Sequence, residues 1–239
     1  MVLVHGTLDR AAGMLRVVRC LRGPAGGPEI LRYDRRGYGR SAATGPATSF
    51  DQQVDDLAAV LDGRSAAAGP AAVDPPAGRS PQPSPAVVFG HSYGGVIALA
   101  LAARRHPGVG AVVSYEAPRA WEAWWTPPPA PDVDPAQAAE QFYRSMVGDD
   151  VWHGLPAAAR RARRAEGAAM VAELRHQHER RYDAAGIAVP VLAGVGECSG
   201  PRTRRAARLT AAEAPAGRLV VVAGAAHGAP ASHPDEIAG

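Results

Sequence analysis

A serine, a carboxylate and a histidine in that order along a chain can carry nucleophilic acyl chemistry, and candidates for all three are present here. Ser92 stands in Gly90-His91-Ser92-Tyr93-Gly94. A serine hydroxyl is a poor nucleophile until a base takes its proton. Of the eight histidines, His227 has the best position for that task, C-terminal to the serine and just after the last apolar run. His233 is second, but His233-Pro234-Asp235-Glu236 reads as the cap of a following helix. His5, before Gly6 at a strand end, shapes a turn. His176 and His178 are two apart on a helical stretch and face different ways, so no metal pair is expected and the metal assignment is none. Two carboxylates, Glu116 and Glu197, each end an apolar run between Ser92 and His227. The residues alone leave both open as the acid that orients the imidazole.

Gly-x-Ser-x-Gly is weak evidence in a chain with 27 glycines, so its setting decides. An apolar run at 86–89 leads in, and a small-residue helical stretch at 96–103 leads out. Strand, tight turn, helix is the arrangement that puts a serine on a sharp, strained bend with its hydroxyl free. Glycines at 90 and 94 fit because side chains would collide where strand and helix cross. The helix start behind the serine favours negative charge developing on a substrate.

The elements that must position these groups alternate between short apolar runs and helical patterns, as in a parallel α/β sheet. Strands are expected at 2–4, 29–33, 86–89, 109–115, 189–195 and 218–223. Met14, Val18 and Leu21 mark one helix. Ser49 and Gln52 make a capping-box start for a second, whose buried stripe is Phe50, Val54, Leu57 and Leu61. Residues 63–85 are dominated by Pro, Gly, Ala and Ser and read as a flexible surface insertion. Between 117 and 186 the alternation stops. Asp134-Pro135 opens a helix there, and a second helical region runs from about 156 to 181 with a break at Gly167. The expected organisation is a core of 1–116 and 187–239 with a helical insert at 117–186.

All the cationic charge is arginine, and 26 arginines against 23 acids leave a net charge of +3. The densest basic cluster, Arg160, Arg161, Arg163 and Arg164, reads as a solvated helix face, so no nucleic-acid partner is expected. Cys20 and Cys198 are far apart and not in metal-ligand spacing; they read as free thiols. No basic-then-apolar leader and no membrane-length apolar run is found, so the expectation is a cytoplasmic protein with no membrane partner.

Taken together, His5-Gly6-Thr7, the Asp34-x-Arg-Gly-x-Gly-x-Ser41 loop, the turn at Ser92 and Gly224-Ala225-Ala226-His227-Gly228 resemble the α/β-hydrolase superfamily, in the subgroup with a helical cap between the sixth and seventh strands. The resemblance implies a mostly parallel α/β sheet with helices on both faces and 117–186 as the cap. It implies an oxyanion hole from the N–H groups of Thr7 and Tyr93. It also puts Trp121, Trp124, Trp125 and Trp152 in the cap, where they could wall an apolar pocket or pack the cap onto the core. The family's acid usually follows the seventh strand, which points to Glu197, although Cys198 stands where an Asp is expected. Some members take it from the end of the sixth strand, the place of Glu116, and Glu116 is the favoured choice. A serine at 92 in place of Asp argues against dehalogenase and epoxide-hydrolase chemistry.

Family members carry two further strands before the His-Gly motif and a helix after the histidine loop. The expectation is therefore a fold lacking the first two strands and the last helix, with an exposed sheet edge. The expected activity is hydrolysis of a small, fairly apolar ester, lactone or thioester through an acyl-enzyme, with no cofactor and only a small-molecule partner. The alternatives are an inactive homologue that acts as a binding protein, or a cofactor-free perhydrolase or C–C hydrolase. The sequence leaves the oligomeric state open.

Overall fold

The computed structural model describes residues 1–23, 27–67, 84–179 and 181–239. Six strands form one sheet: β1 (Val2–Val4), β2 (Leu31–Arg32), β3 (Ala86–His91), β4 (Val109–Tyr115), β5 (Val191–Gly196) and β6 (Gly217–Val222). Their spatial order is β2-β1-β3-β4-β5-β6, and every pairing is parallel. Parallel strands need crossover helices, and these cover the central strands while β6 stays largely exposed. They are α1 (Leu15–Arg22), α2 (Phe50–Ala67), α3 (Tyr93–Ala103) and, after the insert, α8 (Pro201–Glu213).

The central strands are apolar and short because both faces are covered; Val2, Val4, Val88, Val112 and Val191 have no exposure at all. Helix α3 is apolar on every side, and its residues 93–102 are all buried. On α2 the expected stripe of Phe50, Val54, Leu57 and Leu61 is buried against this core. Its start is capped as the sequence indicates: Gln52 N–H donates to Ser49 Oγ at 3.1 Å, while Gln52 Oε1 accepts from the Thr48 N–H at 2.9 Å.

The structure corrects two element boundaries. The run at 29–33 is extended but pairs with β1 only over Leu31–Arg32. Residues 63–67, read as the start of an insertion, continue α2; of the rest of that stretch, 68–83 lie outside the described residues.

Between β4 and β5 the described residues form four α-helices, α4 (Pro135–Val147), α5 (Asp149–Gly154), α6 (Ala157–Ala165) and α7 (Gly167–Glu179). Asp134 caps α4 by accepting from Gln137 N–H at 2.7 Å, with Pro135 at the first helical position. The expected break at Gly167 separates α6 from α7. Three arginines of the basic cluster pair within the protein, and Arg161 is exposed as the reading of a solvated face expects. Arg164 bonds Glu140, Arg163 reaches Glu166, and Arg160 donates to the carbonyls of His153 and Leu155. After β6 the chain forms two short helices, α9 (Ala229–Ser232) and α10 (Pro234–Ala238), the second opening at His233 as expected. Cys20 and Cys198 are free thiols. Among the described residues no helix is long and apolar enough to cross a membrane.

Candidate active site

Ser92 sits between β3 and α3 with φ +52° and ψ −123°, a conformation that L-residues rarely adopt. Its N–H donates to Tyr115 O at 2.8 Å, and its own carbonyl accepts from Gly95 N–H at 2.8 Å, so the bend is held from both sides. The flanking glycines allow the crossing. A Cβ on Gly94 would stand 2.3 Å from Val4 O, and one on Gly90 would stand 2.4 Å from Gly94 O. The Tyr93 N–H is the first of α3 and has no carbonyl one turn earlier to bind.

Glu116 follows β4, also at positive φ, +52°. Its Oε2 accepts from His227 Nδ1 at 2.7 Å. Its Oε1 accepts from Gly196 N–H at 3.0 Å and from the Ser199 hydroxyl. Burial alone would push this carboxyl up, but the bonds from His227, Ser199 and Gly196 outweigh it and hold Glu116 below the usual carboxylate range. With Nδ1 donating to Glu116, the other ring nitrogen of His227 is left as a base. Two further groups fix the histidine loop. Tyr115 OH donates to Ala226 O at 2.9 Å, and His91 Nε2 donates to His227 O at 2.9 Å. The rings of His91 and His227 lie 4.7 Å apart. Burial, with the nearby His227 adding to it, pushes the His91 ring down to about 3, so it stays neutral and donates.

Glu197 does not reach the histidine. It is exposed, and its Oε2 accepts from Gly224 N–H at 2.9 Å, which shapes the turn after β6. The sequence left two carboxylates open; the one bonded to the imidazole is Glu116.

Ser92, Tyr93, Thr7, Glu116 and His227 share the wall of one cavity of about 670 Å³ between the sheet's C-terminal edge and the cap. Ser92 and His227 make no direct hydrogen bond to each other. A larger hollow of about 1210 Å³ lies against β2 and α1 and contains none of these residues. Of the four tryptophans expected in the cap, only Trp125 lines this 670 Å³ cavity. The other three are packing residues, which corrects the pocket assignment. Trp124 packs edge-on against Trp125 under Arg205. Trp121 packs on Tyr182, and Trp152 is fully buried beside Tyr143. Size and apolarity suit an indole equally to either use, so sequence could not separate them.

Behind the serine, the loop that carries Thr7 is tied to the helical insert through two buried carboxylates: Glu166, which accepts from Arg10 Nη2 at 2.6 Å and Gly39 N–H at 2.8 Å, and Glu173. Glu173 on α7 is 1 % exposed. It accepts from both Arg35 guanidinium nitrogens, Tyr38 OH at 2.8 Å, Gln53 Nε2 at 2.9 Å and Thr7 Oγ1 at 3.1 Å. Arg35 in turn donates to the carbonyls of His5 and Gly6 at 2.9 and 3.0 Å. His5 shapes this turn as expected: its Nε2 accepts from Arg35 N–H at 2.9 Å and its Nδ1 donates to Gly6 O at 2.8 Å. Burial first, and the Arg35 charge second, hold the His5 ring well below its ordinary value.

Sequence reasoning missed His91, Ser199 and Glu173. Glu173 left a signal: it is a charge within a helix stripe that includes Met170 and Gln177, both buried. Among the described residues no group of three or more His, Cys, Asp or Glu could hold a metal ion.

A model of the alpha/beta hydrolase family matches residues 1–239. The chain belongs to this family. Solved structures with the same fold include an enol-lactonase from Burkholderia xenovorans LB400, at 21% identity and a TM-score of 0.70, over 99% of this chain and 87% of that one. An alpha/beta hydrolase from Sphaerobacter thermophilus DSM 20745 is 25% identical, with a TM-score of 0.68 over 98% and 90% of the two chains. A lipase-esterase related protein from Clostridium acetobutylicum ATCC 824 is 16% identical, with a TM-score of 0.70 over 99% and 90%. A search of curated proteins finds no match. This α/β-hydrolase is thus an enzyme of a hydrolytic family, and its own cavity and residues must say which bond it cleaves.

Proposed function

We propose that the chain is a serine hydrolase that cleaves a small ester, lactone or thioester through an acyl-enzyme. The observation that carries this reading is the Glu116–His227 hydrogen bond of 2.7 Å, made over the cavity where Ser92 is held at positive φ. Ser92 Oγ attacks the carbonyl carbon while His227 Nε2 takes the hydroxyl proton, and Glu116 steadies the imidazolium that forms. The carbonyl oxygen becomes an oxyanion facing the N–H groups of Thr7 and Tyr93. As the tetrahedral centre collapses, the alcohol or thiol leaves with the proton from His227. Water then attacks the acyl-enzyme by the same path and frees the acid. Trp125, Phe142, Met146 and Leu174 supply apolar wall for the substrate.

Reaction with a fluorophosphonate probe tests the proposal. Wild-type protein should be labelled at Ser92, and Ser92→Ala should not. Soluble, folded wild-type protein that takes no label would falsify the reading in favour of a binding protein.

A further inference from the structure

One turn beyond Glu173 on α7, and on the same side of the helix, lies Gln177. The two are buried to a similar degree, 1 % and 4 % exposed, but their surroundings are opposite. Glu173 has a donor for each of its lone pairs; the Gln177 Oε1 is shut off from solvent and has none. The Gln177 side chain makes no hydrogen bond among the described residues. Turning the amide over exchanges oxygen and nitrogen and leaves the same place short of a partner. A buried amide in this condition is costly, and natural folds seldom keep one without a use.

Gln177 also lines the cavity above Ser92, together with its helix neighbours Leu174 and His178. Its terminal amide turns about a soft torsion, so it can present the carbonyl to whatever fills that cavity. The helix itself cannot slide to relieve the shortage, because Glu173 fastens it to Arg35, Tyr38, Gln53 and Thr7. Phe142, Met146 and Trp125 give the same cavity apolar wall, and Ser145, His178 and Arg202 give it polar groups. A buried polar group left without a partner on a cavity wall fixes the orientation of a ligand that carries its complement.

We propose that Gln177 is a specificity-determining residue that accepts a hydrogen bond from a hydroxyl or amide N–H on the substrate. The natural substrate is then a hydroxylated or amide-bearing ester, lactone or thioester, and a plain hydrocarbon ester is a poor one. This rests on the serine-hydrolase reading above. A site that must satisfy a buried polar group rejects the analogue lacking the matching group far more strongly than an apolar pocket rejects a missing methylene.

The test compares kcat/KM for two matched pairs, one polar on the acyl side and one on the alcohol side. They are p-nitrophenyl 3-hydroxybutyrate against p-nitrophenyl butyrate, and 2-hydroxyethyl butyrate against propyl butyrate. Wild-type enzyme should favour the hydroxylated member of at least one pair by about tenfold or more. Gln177→Leu, close in size and without polar atoms, should bring that ratio to within about threefold of unity, with Tm unchanged or raised because the unpaired amide is gone. Gln177→Met serves the same purpose if the Leu variant is poorly soluble. Equal ratios in wild type and variant overturn the inference and assign the amide to an ordered water or to the fold. Labelling of Ser92 separates the two levels. A labelled serine with unmoved ratios overturns the Gln177 assignment alone; an unlabelled serine with no turnover overturns both.

Discussion

At the residue scale the decisive contact is the one between Glu116 and His227. Removing the negative charge there should leave the imidazole poorly oriented and its cation unsupported. Glu116→Gln is expected to lower kcat by roughly 10³ to 10⁴, whereas Glu197→Gln should stay within a few fold, because Glu197 holds only the Gly224 turn. Measuring p-nitrophenyl ester turnover for the two variants side by side checks this, and equal losses would reverse the assignment. The strain at Ser92 gives a second prediction. Ser92→Ala and Ser92→Gly should both be inactive, but glycine relieves the positive φ, so its Tm should exceed that of the alanine variant by about 2–4 °C. The tight turn at Ser92 and the loop at His227 were legible in the sequence because each ends a recognisable local pattern. Which carboxylate bonds the imidazole was not, since two stand at equivalent strand ends and only the packing of β4 against β5 decides which one faces the histidine. Ser199 was invisible for the same reason: its partner, Glu116, is 83 residues away.

At the scale of elements, the sequence located the strands and helices within a few residues, and it failed where pairing partners set the limits. Residues 29–33 are apolar enough for a strand, yet only two of them find β1 beside them. The helical insert between β4 and β5 was legible as a break in alternation, but its attachment was not, because Glu173 takes its donors from three distant segments. Breaking this attachment should matter. Glu173→Gln leaves the buried Arg35 without its counter-charge, and a loss of stability on the order of 3 kcal/mol is expected. Urea unfolding measures it directly. Thr7→Val removes one donor from the cluster, keeps the Thr7 N–H, and should cost about 1 kcal/mol. A Glu173→Gln variant as stable as wild type would show that the cluster is not what fastens the cap.

For the whole molecule, stability should depend on pH through two buried neutral histidines. His5 and His91 have lowered values in the fold, while in the unfolded chain both accept a proton near pH 6.5. Below that pH the unfolded state therefore binds more protons than the folded one, and stability falls as pH drops from about 6.5 towards 3. Each ring contributes about 1.4 kcal/mol per pH unit within its window, and nothing above it. Glu116 adds to the loss at the acid end, as pH falls through its own lowered value. Urea midpoints between pH 5 and 8 should show the slope, and His91→Gln should flatten it by one proton. A wild-type midpoint that does not move over this range contradicts the assignment.

The Glu173 knot has one more consequence, for how this enzyme fails. The helical insert and the Thr7 loop are fastened to each other through Glu173 and again through Glu166, which takes Arg10 and Gly39, so lifting the roof is expected to undo the floor with it. All four tryptophans lie between residues 121 and 152, which makes their fluorescence a reporter of the roof, while turnover reports the floor. On a slow temperature ramp the two signals should fall along one curve. Heat would then take the molecule from full competence to none, with no weakened but serviceable form between them.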